Sequence, residues 1–363
     1  MTGPRELSWL ALVPRDTIFI RDGRSFDAAA DTTARSVLPH PSTIAGAVGA
    51  AYGAKPKAAR GTVPDEVLGP VLARRLGTDW HAYFPVPADL VAEDDTVLRL
   101  RPASALGSTD LGSAGTGSTG TGSAPERWLV PPAGAGKVKP VSGWLPGAVL
   151  ADYLSGRLGG SGRMPKADLR LEDPLRPEQR IGLARTPDRI ARPEYLYQAI
   201  HLRPADGWAF LAGCALPAGW HRAAAGPVRF GGRGRLADVQ AAADVTWPAR
   251  PEAFPGGRVL AYLATPALWP DGWRIPLPPE ATLAAAAAGE PIPVGTTTAD
   301  ASWRANRMLR WAAPAGSVYL LRFGDETSAA KWAARTHGTA YGLADDDPRR
   351  TAGFGVVLTG VWE

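Results

Sequence analysis

Cysteine is nearly missing from this chain of 363 residues: Cys214 stands alone. That excludes an intramolecular disulfide, a thiolate metal cluster and a Cys-x-x-Cys redox centre. Cys214 sits in the apolar run WAFLAGCAL, which predicts a buried structural cysteine rather than a nucleophile. Lysine is also scarce, confined to positions 55, 57, 137, 139, 166 and 331, so the 40 basic residues are almost all arginine. The histidines, His40, His81, His201, His221 and His337, show neither H-x-x-x-H nor H-E-x-x-H spacing, so no metal site is expected. No G-x-S-x-G nucleophile elbow occurs. No apolar run approaches the roughly 18 residues of a membrane span. The apolar stretch at the start is cut off by Pro14-Arg15-Asp16 before it reaches signal-peptide length. The expectation is a cytoplasmic protein with no membrane contact, no cofactor and no catalytic set.

What is present describes a globular chain. Hydrophobic residues make up 45% and charged residues 21%, enough apolar material for a real core. At roughly 150 residues per domain the length implies two domains, or three. Forty Lys+Arg against 35 Asp+Glu give a net charge of +5, which permits nucleic-acid binding without requiring it.

SWLALV, from Ser8 to Val13, reads as a buried strand. PSTIAGAVGAAYG reads as a small-residue helix, capped by Ser42 or Thr43 and stopped at Gly53. Trp80 to Val86 reads as a strand, and Pro146 to Leu158 as an amphipathic helix with its apolar face at Val149, Leu150, Tyr153 and Leu154. Residues 103–124 are nearly all Gly, Ser, Thr and Ala and are expected to form a flexible insertion. The pattern restarts at Gly207 with WAFLAGCAL and continues through RVLAYLATPAL, SVYLLRF, the helix ETSAAKWAAR and GFGVVLTGVW. This order fits two α+β domains of ferredoxin-like type better than a doubly wound sheet, with domains at 1–203 and 204–363.

Four stretches carry candidate chemistry. In VPRDTIFIRDGRSF, Asp22-Gly23 suits a two-residue hairpin turn. That register sets Arg21 opposite Arg24 and Phe19 opposite Phe26 on one face, with Arg15 nearby. Facing like charges need a carboxylate such as Asp16 or Asp22, or a bound anion. Aromatic rings beside guanidiniums suit a nucleotide, but taken alone the stretch reads first as an apolar core with snorkelling arginines. At His40-Pro41-Ser42-Thr43, a helix start offers free amides and hydroxyls to a phosphate, or is an ordinary cap. Arg229-Phe-Gly-Gly-Arg-Gly-Arg235 combines arginines 229, 233 and 235 with glycines, among them Gly231 and Gly232, that allow close approach. In GFGVVLTG, Gly353, Gly355 and Gly360 leave room for another chain or a nucleic acid to press on the backbone. Asp345-Asp346-Asp347 reads as a solvated loop rather than a Mg²⁺ site.

PRDTIFIRDGRSF, LPHPSTIAGAVGA, RIGLARTPDRIARPEYLYQAIHLRP, RFGGRGRLA, LATPALWPDGW, PAGSVYLLRF and GFGVVLTGVW, in this order, resemble a known family. It is the RAMP-superfamily third subunit of the type III-B CRISPR (Cmr) effector complex. The resemblance spans nearly the whole chain apart from 103–124 and a stretch near 276–295. It implies two fused ferredoxin-like (RRM-like) domains and a glycine-rich loop near the C-terminus, matched by GFGVVLTG. It implies a non-catalytic role in antiviral defence, holding the repeat-derived 5′ tag of the crRNA and docking the large polymerase-type subunit. The other expected partners are the backbone RAMP subunits and, through the complex, target RNA. RNA contacts are expected at Arg15, Phe19, Arg21, Arg24 and Phe26, at His40, Ser42 and Thr43, and at Arg229, Gly231, Gly232, Arg233 and Arg235. Gly353 and Gly355 complete that set. A projecting hairpin is expected from 159–193, with Arg163, Lys166 and Arg170. Two alternatives stay open: a RAMP-type endoribonuclease with a histidine base, and a scaffold that touches only proteins.

Overall fold

The computed structural model describes residues 7–21, 33–53, 66–103, 127–158, 162–215, 226–242, 245, 247–297 and 307–363. Residues 22–32, with Arg24 and Phe26 of the expected Asp22-Gly23 hairpin, and nearly all of the 103–124 insertion lie outside the described residues.

The chain is mixed α+β, with many strands and few helices. The strands that organise it are β1 (Ser8–Pro14), β2 (Thr33–Arg35), β3 (Glu66–Leu76), β4 (Asp79–Pro85), β5 (Trp144–Pro146), β6 (Leu175–Arg185), β7 (Ala191–Pro204) and β8 (Trp208–Ala215). They continue with β9 (Val228–Arg229), β10 (Leu236–Ala241), β11 (Arg258–Leu263), β12 (Ala281–Ala287), β13 (Val318–Phe323), β14 (Thr339–Ala340) and β15 (Val356–Val361). The principal helices are α1 (Pro41–Ala51), α2 (Gly147–Leu154) and α3 (Glu326–Thr336). None of the described helices is long and apolar enough to cross a membrane.

The first sheet runs β5-β4-β3-β8-β1-β10-β9 and the second β12-β13-β11-β15-β14, with every neighbouring pair antiparallel. β8 is buried along its whole length, as its unbroken apolar sequence WAFLAGCA requires of a central strand. It lies between β1 and β3. The first sheet therefore extends past residue 204: β8 and β10, expected to begin a second domain, are integral to it. The restart of the apolar pattern at Gly207 marks the fifth strand, in chain order, of a sheet already begun. Burial pushes the Cys214 thiol, on this strand, up to about 12.

α1 forms because Pro41 takes the first helical position, where no amide bond is lost. Its N-cap is His40, without a side-chain capping bond, so Ser42 and Thr43 lie inside the first turn rather than at the cap. Ile44, Ala47 and Val48 bury against Leu72, Val228 and Phe230. α2 buries Val149, Leu150, Tyr153 and Leu154, the apolar face read from its spacing. These side chains join Phe84 of β4 to Leu260 and Tyr262 of β11 and Leu358 of β15 in one core shared by both sheets. The Tyr262 hydroxyl donates to the Pro85 carbonyl at 2.7 Å across that junction.

The long projecting element is the β6–β7 hairpin, joined by parallel pairing to β2. Arg163, Lys166 and Arg170 precede it, in a short strand, a 3-10 turn and the residue that follows, so they are not part of the hairpin. In β6 and β7, residues 178, 180, 197, 199, 201 and 203 share the inner face by register. Ile181, Leu183 and Leu196 are exposed on the other.

Candidate nucleic-acid interface

Residues 15 to 21 leave β1 and run between the β6–β7 hairpin and the loop linking β9 to β10. Two isolated bridges fix that path, Ile18 to Leu202 and Arg21 to Ser36. The Gly231-Gly232 amide region then closes over it, the Gly232 amide donating to the Phe19 carbonyl at 2.7 Å. Gly231 has φ +93°, and a Cβ there would lie 2.9 Å from the same oxygen, so both conformation and space demand glycine. Two stretches more than 200 residues apart in sequence are thus one surface.

At its base is a charge hub. Asp16 accepts from Arg180 at 2.9 Å and from Arg203 at 2.8 Å, and also pairs with Arg235. Glu178 pairs with Arg180 and Arg203 from the same face of the hairpin. Burial pushes the Asp16 carboxyl up, but the Thr17 amide and the guanidiniums of Arg180 and Arg203 outweigh it and hold the group at about 2. Arg15 is separate, paired with Asp238 at 2.8 Å. Three guanidiniums, those of Arg180, Arg203 and Arg235, face two carboxylates in the hub, leaving a positive excess.

Above the hub the chemistry turns aromatic. Phe19 is 3% exposed and stacks on His201 with centroids 4.6 Å apart. The Arg233 guanidinium lies 5.6 Å from the Phe19 ring centroid and 5.0 Å from that of Tyr197, whose hydroxyl it also contacts. The Phe19 ring is therefore a buried support for Arg233 rather than an open platform for a base. His201 is buried, with Nδ1 2.8 Å from Thr17 Oγ1. Burial and the nearby charges of Arg235 and Arg180 lower its pKa below the usual histidine value. Phe19, Arg21, Ala34, Gly232 and Arg233 line a pocket of about 280 Å³ that opens here.

The expected residues sort accordingly. Phe19, Arg21, Gly231, Gly232, Arg233 and Arg235 come together, while Arg15 is turned to Asp238. Arg229 is exposed at the loop's start, where its strand packs on α1, and it makes no ion pair among the described residues. Ser42 is exposed and Thr43 half-buried on α1, while His40 is buried at the edge of a different, apolar cleft of about 550 Å³. Gly353 and Gly355 lie elsewhere. Both are buried with positive φ; a Cβ on Gly353 would collide with the Val67 carbonyl of β3, and one on Gly355 would lie 3.0 Å from the Tyr341 carbonyl. Gly360 is closed in by Leu154 of α2. The space these glycines leave is filled by the chain's own backbone. Asp347 caps the short helix Pro348–Thr351 and pairs with Arg349, and Asp345 with Arg350; no metal-binding cluster occurs among the described residues.

The hub escaped sequence reading. Glu178 with Arg180, and His201 with Arg203, stand two apart, the spacing that puts strand residues on one face. That signal was available, but not the partner strand.

Comparison with known proteins defines first a class, the CRISPR-associated proteins: the sequence matches the family described as CRISPR-associated protein (Cas_Cmr3) over residues 10–362. The chain belongs to that Cas_Cmr3 family, which places it among the subunits of Cmr-type CRISPR effectors. No curated protein matches. Among solved structures, it is similar to a chain in the cryo-EM structure of the type III-B Cmr-beta bound to cognate target RNA, at 14% identity, 86% coverage of each chain and TM-score 0.49. It is likewise similar to a chain of the type III-B Cmr-beta bound to cognate target RNA and AMPPnP, at 14% identity, 86% coverage of each chain and TM-score 0.48.

Proposed function

We propose that the chain is a non-catalytic RNA-binding subunit of a cytoplasmic type III-B CRISPR effector. It holds the 5′ repeat-derived tag of the crRNA and docks the large polymerase-type subunit. Family membership sets the frame, and one observation carries the RNA assignment. The glycine loop presents Arg233 beside Arg21, with Arg229 exposed at the loop's start, next to a hub whose own arginines exceed its carboxylates. Guanidiniums on a glycine-shaped backbone suit phosphates and 2′-hydroxyls of single-stranded RNA. The exposed hairpin face of Ile181, Leu183 and Leu196 supplies apolar surface for the assembly.

Each half is best described as a ferredoxin-like domain. Four strands of each sheet, β3-β8-β1-β10 and β12-β13-β11-β15, stand in the spatial order second, third, first, fourth. The non-catalytic reading draws support from the histidines. His201 is buried against Thr17, and His337 accepts from the Thr359 amide at 3.0 Å through Nδ1 while Nε2 lies 2.9 Å from the Pro248 carbonyl. Purification from the native host and sequencing of bound RNA tests the function. CRISPR-derived RNAs sharing one 5′ tag are expected; their absence contradicts it.

A further inference from the structure

A second basic pocket lies where the two halves meet, away from the glycine loop. It encloses about 270 Å³, and its charged walls are Asp89, Arg99, Arg101, Arg258 and Glu363, with Trp362 among the apolar ones. Arg99 is the informative residue. Its side chain is 12% exposed, held by Asp89 at 3.2 Å and lying 4.5 Å over the Tyr153 ring. Asp89 also accepts from the Tyr153 hydroxyl at 2.7 Å, so that carboxylate is fully engaged. Yet Nη2 of Arg99 is buried with no hydrogen-bond partner among the described residues. A buried charged donor without an acceptor is costly, so its persistence beside a cavity calls for an acceptor from outside the protein.

The remaining charges favour an anion. Arg258 is exposed and its guanidinium stands 5.4 Å from the Trp362 ring centroid, with no carboxylate partner among the described residues. Glu363 stands 3.8 Å from Arg101, and this exposed pair is a weak one. The pocket thus holds more guanidinium than carboxylate. Guanidinium forks match the oxygens of a phosphate, and the volume admits more than a bare ion.

The geometry points to this pocket as a phosphate-ester site, with Arg99 and Arg258 as the donors and Trp362 as an apolar wall. It does not rest on the RNA assignment of the glycine loop. The ester is that of a free nucleotide or of an RNA strand, and the test separates the two. Binding of inorganic phosphate, 5′-AMP and a five-nucleotide RNA to the full chain is measured by titration calorimetry. Arg258→Glu is compared with wild type and with Arg335→Gln, an exposed change on α3, after thermal melting confirms that all are folded.

A free-nucleotide site is supported if phosphate and 5′-AMP binding weaken about tenfold or more in Arg258→Glu alone. An RNA site is supported if only the oligonucleotide responds in that way. Equal affinity of wild type and Arg258→Glu for all three probes overturns the assignment. So does a ligand-bound structure that places the phosphate away from Arg99 Nη2.

Discussion

The two sheets share a strand order but differ at one corresponding place. In each, a glycine-rich loop feeds the fourth strand and packs on the segment leaving the first. In the first half, Gly232 donates to Phe19 and Arg235 pairs with Asp16. In the second, the Gly355 amide donates to the Pro266 carbonyl at 2.9 Å, and Thr265 bridges the Gly353 carbonyl at 2.7 Å and the Val356 amide at 2.9 Å. Glycine serves close approach in both. Only the first loop carries arginines into solvent; the second is buried, with Gly353 against β3. The difference separates two uses of one motif, a ligand-facing loop and an internal brace.

The largest effect expected from that contrast is on stability. Gly353→Ala meets the Val67 carbonyl from a positive-φ position and should cost about 2–5 kcal/mol in denaturant unfolding. Gly234→Ala, also at positive φ but with nothing within 4 Å, should cost about 1–2 kcal/mol. Equal costs would dissolve the distinction between brace and open loop.

The helices offer a smaller test. In the second half Asp325 caps α3, accepting from the Ser328 amide at 2.8 Å, and Asp325→Ala should cost about 1 kcal/mol. Ser42→Ala on uncapped α1 should fall within about 0.5 kcal/mol of wild type. Thermal or urea unfolding of both variants would show whether Ser42 has a capping role after all.

The charge hub gives the first half a pH-dependent stabilisation centred on Asp16. The Asp16 carboxyl is depressed from 3.8 to about 2, so its stabilisation is fully present above its unfolded value and is lost as pH falls through that window. Asp16→Asn should flatten the stability profile between about pH 4 and pH 2 in acid titrations. An unchanged profile would remove Asp16 from the centre of the network.

Much of the fold was legible because it rests on local periodicity. The β1 and β8 strands, the α2 face and the α3 helix follow directly from apolar spacing. The cap of α1 was misread because Pro41 claims the first helical position and moves Ser42 and Thr43 inward. The first half was cut short at 203 because a long excursion separates β4 from β8, and no local pattern reports which sheet a later strand joins. In the candidate site, the arginine and glycine loop was visible, but its carboxylate partner Asp16 lies 219 residues from Arg235. The burial of Phe19 under His201 likewise depends on a strand that sequence spacing alone does not place.

The most direct measurement is guide retention by an effector reconstituted with the double charge reversal Arg229→Glu, Arg233→Glu. The account predicts an assembled complex that has lost most of its 5′-tagged crRNA, while Arg349→Gln near the buried glycine brace retains it. Wild-type crRNA retention in the double variant, with the complex intact, would contradict the proposed grip and favour a scaffold that touches only proteins.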